Sequence, residues 1–371
     1  MRLLWICGSR VVGGAERATL QVAGLLRDRG HAVTVACPSD SALGPVLAAA
    51  QLPTRPTPLG GALNLGAYAA IRPLLTSTAA DVALVTTADE WVWACLSPRP
   101  VAGPRLVLAR HMTVPLARRV RWLAARRADA VIAVSHAVRE SLLGRAGVPP
   151  GQLHVIYNPV RFTPRAAVPG APPRAAARRA LGLPADGALV GFFGGLDPNK
   201  GVEDVARAVR HANEMRGQTT LLLCGRLNGG LSLAALARAA GGAERLHGLG
   251  ETERMEEVLT AVDVVVMATH RRLGEALPAT LIEAMACGTP VIAYGTGGMR
   301  EVIGADGEAG RLAAPDDPAD LGRVLVEVLG DPIGAERMAS AALARARALF
   351  DPKQAAERYE QLFTRLCARP R

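Results

Sequence analysis

Two glutamates in the second half of the chain, Glu275 and Glu283, are separated by seven residues and border a predicted helix. That helix is predicted over Ala279–Ala286, so one glutamate precedes its N-terminus and the other lies one to two turns inside it. Its first amides, including those of Thr280 and Leu281, have no intrahelical acceptor and can bind an anion. An anion on these amides, with two carboxylates nearby for hydroxyl groups, indicates a pocket for a nucleotide sugar.

Prolines and glycines mark the elements that position this pair of glutamates. The β-branched run Asp263–Met267 is typical of a buried parallel strand, and Pro290–Tyr294 is the next apolar run. Pro278, with its preset φ and no amide hydrogen, suits the first helical position, and Gly288 suits the C-cap. The sequence therefore predicts a strand, a loop, a helix, a second strand and then a turn at Gly295–Gly298.

The glutamate pair and the residues after it resemble the signature of a known family. Glu275 and Glu283 are followed by Ala284–Ala286 and by Gly288–Val291. This pattern is similar to that of the retaining glycosyltransferases of family four, whereas an isolated pair would indicate two solvated glutamates on a helix. The resemblance implies that Glu275 lies beside the donor sugar and supports developing positive charge, and that Glu283 holds the ribose hydroxyls.

The length and composition of the chain agree with the fold that this resemblance implies. The 371 residues are 50% apolar, which is enough for two cores, and predicted strands alternate with helices. The implied class is the α/β GT-B fold, with two Rossmann-like domains facing each other across a cleft. We predict an acceptor-side domain over 1–165, a linker over 166–186, a donor domain over 187–349 and a helix over 350–371 that returns to the first domain. The segment Ser41–Thr78 is rich in Ala, Leu and Pro, and in the family such a region often shapes the acceptor side.

The first domain carries three candidate site residues, Gly13, Gly14 and His111. The spacing of Gly8, Gly13 and Gly14 does not fit the dinucleotide fingerprint, but it is similar to a glycine loop whose amides approach the donor diphosphate in the family. Glu16 is predicted to cap the following helix. His111 ends a strand, where α/β sheets place ligands, and the resemblance implies a histidine that faces the donor sugar. The alternative for the glycine loop is an ordinary strand–helix turn, and the alternatives for His111 are a hydrogen-bonded core histidine and a solvent-facing one.

The second domain matches the phosphate-gripping pattern of the family only in part. Lys200 is present, but Gly195 stands where the family has an arginine. Losing that arginine removes a charge-assisted contact of about 1.5–3 kcal/mol. Three explanations stay open: another arginine (Arg226, Arg271 or Arg272) replaces it, the donor binds more weakly, or activity is lost.

The charge balance predicts anionic partners. The net charge is +10 with a pI of about 10.0, and no nucleic-acid-reading motif occurs, so phosphorylated substrates and acidic lipids are favoured over nucleic acid. A basic helix is predicted over Val114–Arg127, with Arg118, Trp122 and Arg126 on one face. This face suits an anionic membrane surface, and a solvated face with cation–π contacts is the alternative.

Several signals bear on location and cofactors. The six cysteines are scattered without a CxxC pair, which predicts core residues in a reducing compartment and no zinc site. No Asp-x-Asp motif for a divalent ion occurs, so we expect no metal and no cofactor, with the nucleotide sugar as substrate. The apolar start is too short for a signal peptide, and no run reaches the ~18–20 residues of a membrane span. These observations predict a cytoplasmic protein that docks peripherally on the inner face of the cell membrane.

Together with these residues, the resemblance implies transfer of a sugar from a nucleotide-diphosphate donor to a hydroxyl group, with retention. Lys200, the helix amides and the Gly13-Gly14 loop would stabilise the departing diphosphate. A glycan or lipid-linked acceptor in surface polysaccharide or lipopolysaccharide synthesis is expected. The alternatives are another GT-B enzyme, such as a sugar epimerase or phosphorylase, and a non-catalytic sugar- or lipid-binding relative, which Gly195 favours. A nucleic-acid binder ranks third.

Overall fold

The computed structural model describes residues 1–61, 64–76, 79–144, 147–160, 174–304 and 307–370. The chain divides into two compact units. Met1–Pro159 and Phe350–Arg371 form the first unit, and Val160–Leu349 forms the second. Part of the predicted linker, 166–173, lies outside the described residues, and the rest of it belongs to the second unit.

The first unit is built on a parallel sheet of short apolar strands. Its elements, up to the end of the sheet, are β1 (Arg2–Ile6), α1 (Gly14–Asp28), β2 (Ala32–Cys37), α2 (Leu43–Ala49), β3 (Thr54–Pro56), α3 (Leu65–Thr76), β4 (Val82–Val85), α4 (Ala88–Leu96), β5 (Arg105–Arg110), α5 (Arg118–Arg127), β6 (Ala130–Ala133), α6 (His136–Leu142) and β7 (Leu153–Val155). The strand order is β3-β2-β1-β4-β5-β6-β7, with every neighbouring pair parallel. The order reverses between β1 and β4, which is where open α/β sheets bind ligands at the carboxyl ends of their strands.

The second unit repeats this plan. Its elements are α7 (Arg174–Ala180), β8 (Ala188–Phe193), α8 (Val202–Arg216), β9 (Thr219–Cys224), α9 (Leu233–Ala240), β10 (Leu246–Gly250), α10 (Met255–Ala261), β11 (Val264–Met267), α11 (Ala279–Ala286), β12 (Val291–Tyr294), α12 (Gly298–Ile303), β13 (Arg311–Ala313), α13 (Pro318–Gly330) and α14 (Pro332–Phe350). The parallel strand order is β10-β9-β8-β11-β12-β13, so the switch point lies between β8 and β11. The loops after these two strands carry Lys200 and Glu275.

The last helix, α15 (Pro352–Ala368), packs into the core of the first unit. Its buried residues Tyr359 and Phe363 join the cluster that contains Trp5 of β1, and the Trp5 and Tyr359 ring centroids are 6.2 Å apart. The prediction that the C-terminal helix returns to the first domain is therefore confirmed.

Two predicted boundaries are wrong. The basic helix α5 begins at Arg118 and not at Val114, because Val114 precedes Pro115 and residues before proline disfavour helix. The predicted turn at Gly295–Gly298 ends in a short helix, since α12 starts at Gly298. Glycine lowers helix propensity, which explains why the sequence pattern concealed this helix.

Within the described part of the chain, no helix combines the length and apolar character needed to cross a membrane.

Candidate functional site

An ion pair lies at the switch point of the second sheet. The Lys200 ammonium donates a short hydrogen bond to Oε1 of Glu275, and the Thr269 hydroxyl donates to the same oxygen over 3.2 Å. Both partners of the pair are largely shielded, with side-chain exposures of 30% for Lys200 and 15% for Glu275. A carboxylate has acceptor capacity beyond these two bonds, so Glu275 can still receive a substrate hydroxyl.

Lys200 is an unusual residue type for this chain. Of its 43 basic residues only two are lysines, Lys200 and Lys353. Arginine serves at every other basic position, whereas a lysine ammonium is a compact point charge that suits phosphate. This contrast in composition supports a specific role for Lys200, and it also provides Lys353 as an internal control.

The backbone around Glu275 is held by the start of α12. The amide of Gly298 donates to the Glu275 carbonyl over 2.8 Å. A β-carbon at Gly298 would lie only 2.5 Å from the carbonyl oxygen of Ala276, so this close approach requires glycine. The glycines that the sequence analysis assigned to a turn therefore position the candidate catalytic loop.

Helix α11 begins beside the same loops. Pro278 is the N-cap of this helix, whereas the sequence predicted it at the first helical position. The first intrahelical bond runs from the Ile282 amide to the Pro278 carbonyl over 3.1 Å. The amides of Thr280 and Leu281 precede that bond and remain the predicted anion donors. A β-carbon at Gly194, which follows β8, would lie 3.9 Å from the Thr280 hydroxyl. The β8 loop, the Glu275 loop and the helix N-terminus thus converge.

Glu283 lies in the second turn of α11 and is half-buried. The residues on either side of it, Ile282 and Ala284, are buried in the core of the second unit. Burial, together with the negative charges of Glu256 and Glu283, raises the pKa of Cys287 to about 12. This thiol therefore stays protonated at neutral pH.

The space at Gly195 is open. Among the described residues, a β-carbon there would meet one atom within 4 Å, the Asn228 side-chain nitrogen, at an ordinary contact distance of 3.6 Å, and the backbone is outside the left-handed region. Neither the backbone nor the packing therefore demands glycine. The neutral amide of Asn228, which donates to the Arg226 carbonyl over 3.3 Å, is the polar group that borders the gap.

The proposed substitute arginines make contacts elsewhere. Arg226 lies 3.3 Å from Glu251 with 72% of its side chain exposed, and the Nε of Arg271 lies 3.9 Å from Asp316. Among the described residues, neither guanidinium forms an ion pair with Glu275. Arg272, the third candidate, is exposed. A replacement for the missing arginine stays a prediction.

A polar cluster that the sequence analysis did not assign stabilises the site loop. Nε2 of His270 lies 2.9 Å from a carboxylate oxygen of Asp204, and the Tyr294 hydroxyl donates to the same oxygen over 3.0 Å. The backbone amide of His270 also donates to the Asn199 carbonyl over 2.9 Å, which ties the Glu275 loop to the residue before Lys200. His270 beside the candidate loop was a sequence signal that could have indicated this cluster, but its partner Asp204 is 66 residues away in the sequence.

In the first unit, Gly13 is the N-cap of α1, which begins at Gly14. The Gly13 amide donates to the Glu16 carboxylate over 2.9 Å, so Glu16 caps the helix as predicted. A ligand phosphate that uses the Gly13 amide would have to displace this carboxylate.

His111 follows β5 and is only partly hydrogen-bonded. Its Nδ1 lies 3.4 Å from the Asn158 side-chain nitrogen, while its Nε2 is buried and has no hydrogen-bond partner among the described residues. Burial, and then the charge of Arg110, lower the pKa of His111 to about 4, so the ring is neutral at pH 7. A buried polar atom without a partner favours a ligand-binding role over a hydrogen-bonded core histidine.

The basic helix α5 presents an exposed aromatic residue. Trp122 is 47% exposed, and the Arg126 guanidinium carbon lies 4.7 Å from its ring centroid. Arg118, at the start of the helix, is exposed as well. The cation–π contact that the sequence analysis gave as an alternative is present.

Solved structures of known proteins define the fold class. Anabaena Alr3699/HepE in complex with UDP-glucose superposes with a TM-score of 0.81, 24% identity and coverage of 98% of this chain and 100% of that chain. Sucrose-phosphate synthase from Thermosynechococcus elongatus superposes with a TM-score of 0.79, 21% identity and coverage of 99% and 100%. Together with the two parallel Rossmann-like sheets, these likenesses confirm the α/β GT-B fold.

Two family models cover most of this sequence. The model for group 1 glycosyl transferases matches residues 173–345, and the model for glycosyltransferase family 4 matches residues 12–163. The first half of the chain therefore matches one glycosyltransferase family model and the second half another.

The curated relatives add two named activities of other proteins. The D-inositol 3-phosphate glycosyltransferase of Xylanimonas cellulosilytica is 33% identical over 59% of this chain and 53% of its own length. The 2-deoxystreptamine glucosyltransferase of Streptomyces kanamyceticus is 30% identical over 59% and 56%. This chain spans about half the length of the curated relatives that it matches.

Proposed function

We propose that this chain is a retaining glycosyltransferase that moves a sugar from a nucleoside-diphosphate donor to an acceptor hydroxyl. The observation that carries the proposal is the Lys200–Glu275 ion pair beside the N-terminus of α11, at the switch point of the second sheet. A cation and free amides suit a diphosphate, and the carboxylate suits a sugar. Structures of Alr3699/HepE with UDP and with UDP-glucose support this class of donor.

The chemistry divides among a few groups. The bond from the anomeric carbon to the phosphate oxygen breaks, its electron pair goes to the diphosphate, and the acceptor oxygen forms the new bond and loses its proton to the departing phosphate. Lys200 and the amides of Thr280 and Leu281 stabilise the leaving diphosphate. Glu275 orients the sugar and supports developing positive charge, and Glu283 holds the ribose. These roles need no metal ion, and metal independence stays a prediction that turnover in EDTA would check.

The acceptor is expected to be a polyhydroxylated ring. D-inositol 3-phosphate and 2-deoxystreptamine stand in the names of relatives at 30–33% identity. A glycan or lipid-linked acceptor in surface polysaccharide or lipopolysaccharide synthesis stays a prediction, and the fold of WaaG, which is involved in lipopolysaccharide biosynthesis, is consistent with it.

The first experiment is a thermal-shift panel of nucleoside-diphosphate sugars on the wild type, Lys200→Ala and the control Lys353→Ala. Binding stabilises the folded state by about 2.7 kcal/mol when the ligand is at 100 times its Kd. We expect one donor to raise the Tm of the wild type and of Lys353→Ala but not of Lys200→Ala. Incubation of that donor with the acceptor panel, followed by NMR of the product anomer, then tests transfer and retention. Absence of any shift at millimolar donor would favour the non-catalytic binding relative instead.

The exposed face of α5 is proposed to contact an anionic membrane surface. Trp122 and the arginines beside it, Arg118 and Arg126, combine an exposed aromatic ring with positive charge. We expect co-sedimentation with phosphatidylglycerol vesicles, but not with phosphatidylcholine vesicles, and weaker binding of Trp122→Ala. Met215→Ala removes a side chain that is 64% exposed in the second unit and serves as the control. Equal binding by both variants would contradict this surface.

A further inference from the structure

A buried carboxyl group lies at the switch point of the first sheet. Glu90, in the first turn of α4, follows β4 and is only 1% exposed. Among the described residues it forms no ion pair, and burial raises its pKa. A buried carboxyl without a cation costs free energy that an apolar residue would not. A buried carboxyl at the ligand-binding edge of a sheet therefore indicates a functional role that offsets this cost.

Glu90 joins two loops that are distant in sequence. Its Oε1 accepts a hydrogen bond from the Gly60 amide over 2.9 Å. Its side chain also hydrogen-bonds with Thr87, and the Thr87 hydroxyl oxygen accepts from the Gly8 amide over 2.9 Å. A β-carbon at Gly8 would lie 2.2 Å from Oε1 of Glu90, so a side chain at this position would displace the carboxyl. One carboxyl thus fixes the loop after β1 and the segment before α3.

The loop after β1 is also bonded to the loop that joins β2 to α2. The Ser41 hydroxyl donates to the Ser9 carbonyl over 2.6 Å, and the Ala42 amide donates to the Arg10 carbonyl over 3.1 Å. The Arg10 guanidinium lies 3.0 Å from Asp40 with 56% of its side chain exposed. Glu90 and residues 40–42 therefore both hold the loop after β1, while the Arg10 side chain is exposed to solvent.

We propose that Glu90 is a positioning residue that shapes the acceptor-binding side of the first unit by fixing the positions of Gly8 and Gly60 relative to each other. The proposal rests on the proposed transferase function. The groups to which the proposed function assigns the donor diphosphate and sugar, Lys200 and Glu275 among them, lie in the second unit. The Gly13-Gly14 loop and His111, which the resemblance implies near the donor, lie in the first unit, so the donor KM in the test below decides between a donor role and an acceptor role for this edge. The edge is assigned to the acceptor because the groups that Glu90 holds there are neutral backbone and hydroxyl groups, which suit acceptor hydroxyls.

The test separates acceptor use from donor use. Glu90→Ala, Glu90→Gln and the control Glu140→Ala, which alters an exposed glutamate of the same unit, are assayed with UDP-glucose. D-inositol 3-phosphate and 2-deoxystreptamine are the acceptor probes, and UDP release without acceptor measures hydrolysis. We expect Glu90→Ala to lower kcat/KM for the acceptor at least about tenfold. The KM for UDP-glucose and the rate of hydrolysis should stay within about twofold of the wild type. Glu90→Gln should recover most of the loss, since its amide oxygen can accept from Gly60.

A second measurement does not depend on turnover. Hydrogen–deuterium exchange on Glu90→Ala should accelerate in residues 8–13 and 59–61, and exchange in residues 269–276 of the second unit should stay unchanged. Unchanged exchange in the first two segments, or equal losses in acceptor KM, donor KM and hydrolysis, would overturn the assignment of Glu90. A wild type that neither binds nor turns over UDP-glucose or the other donors would instead reject the proposed function, whatever the exchange result.

Discussion

The two units share one sheet plan but differ at their switch points. In the second unit, Lys200 and Glu275 form an ion pair next to the amides that begin α11. In the first unit, Glu90 is buried without an ion pair among the described residues, and the lowered pKa of His111 keeps its ring neutral. Charge and free amides suit a diphosphate, whereas neutral hydrogen-bonding groups suit hydroxyls. The same scaffold thus provides one site with an ion pair, here called the charged site, and one site at Glu90 and His111 without an ion pair among the described residues, here called the uncharged site.

The largest expected effect comes from breaking the charged site. Glu275→Gln keeps the shape of the side chain but removes the charge that pairs with Lys200, so we expect turnover to fall about 10²–10³-fold. Donor binding, measured by thermal shift, should persist because the amides and Lys200 remain. Glu251→Gln, at an exposed residue of the same unit, is the control and should leave turnover unchanged. Retention of more than a tenth of the activity by Glu275→Gln would mean that the ion pair is not the centre of the chemistry.

The charged site was predictable because its signals are local. Strand β11, helix α11 and the spacing of Glu275 and Glu283 all fall within the 23 residues from Val264 to Ala286, and periodicity with one proline and one glycine locates them. The GT-B fold followed from the resemblance that the same stretch carries. Of the two boundaries that failed, the start of α5 depends on Pro115. The start of α12 depends on backbone contacts with Glu275, which no local sequence pattern contains.

The uncharged site could not be predicted in the same way. Glu90 has the sequence surroundings of an ordinary residue in a first helical turn, and its burial depends on Gly8, which is 82 residues earlier in the chain. The His270–Asp204–Tyr294 cluster poses the same difficulty, since its partners are 66 and 90 residues apart. Both sets of contacts join residues that are far apart in the sequence, so no characteristic spacing of residues predicts either of them.

A gain of charge should sharpen the contrast between the units. Gly195→Arg adds a guanidinium at a position where, among the described residues, a β-carbon has one neighbour within 4 Å, so the backbone and the nearest packing allow the substitution. A charge-assisted hydrogen bond contributes about 1.5–3 kcal/mol, which predicts UDP binding at least tenfold tighter by calorimetry. Gly195→Gln adds similar reach without charge and should gain little. Equal affinity of wild type and Gly195→Arg would show that the diphosphate does not bind next to Gly195.

Acid should destabilise the uncharged site through His111. Its pKa in the folded state, about 4, lies below the unfolded value of 6.5, so the unfolded chain binds more protons between these values. Stability is therefore unaffected above about pH 6.5 and falls as the pH drops towards 4. This single group should cost about 2 kcal/mol between pH 7 and pH 5. Urea denaturation at both values should show a smaller acid-induced loss for His111→Gln than for the wild type. Equal losses would place the imidazole in contact with solvent.

The smallest expected effect concerns the exposed face of α5, where removing a charge should scarcely change folding. The Arg126 guanidinium lies 4.7 Å from the Trp122 ring centroid, and such a contact at an exposed site contributes about 0.5–1 kcal/mol. Arg126→Ala should therefore lower the free energy of unfolding by no more than about that amount, measured by urea denaturation. Arg210→Ala, which alters another exposed helical arginine, corrects for generic charge loss. Because alanine also favours helix, a loss for Arg126→Ala beyond that control reports the ring contact itself. A loss of several kcal/mol would mean that Arg126 is part of the packed structure of the first unit, and this face would then not be available for a membrane surface.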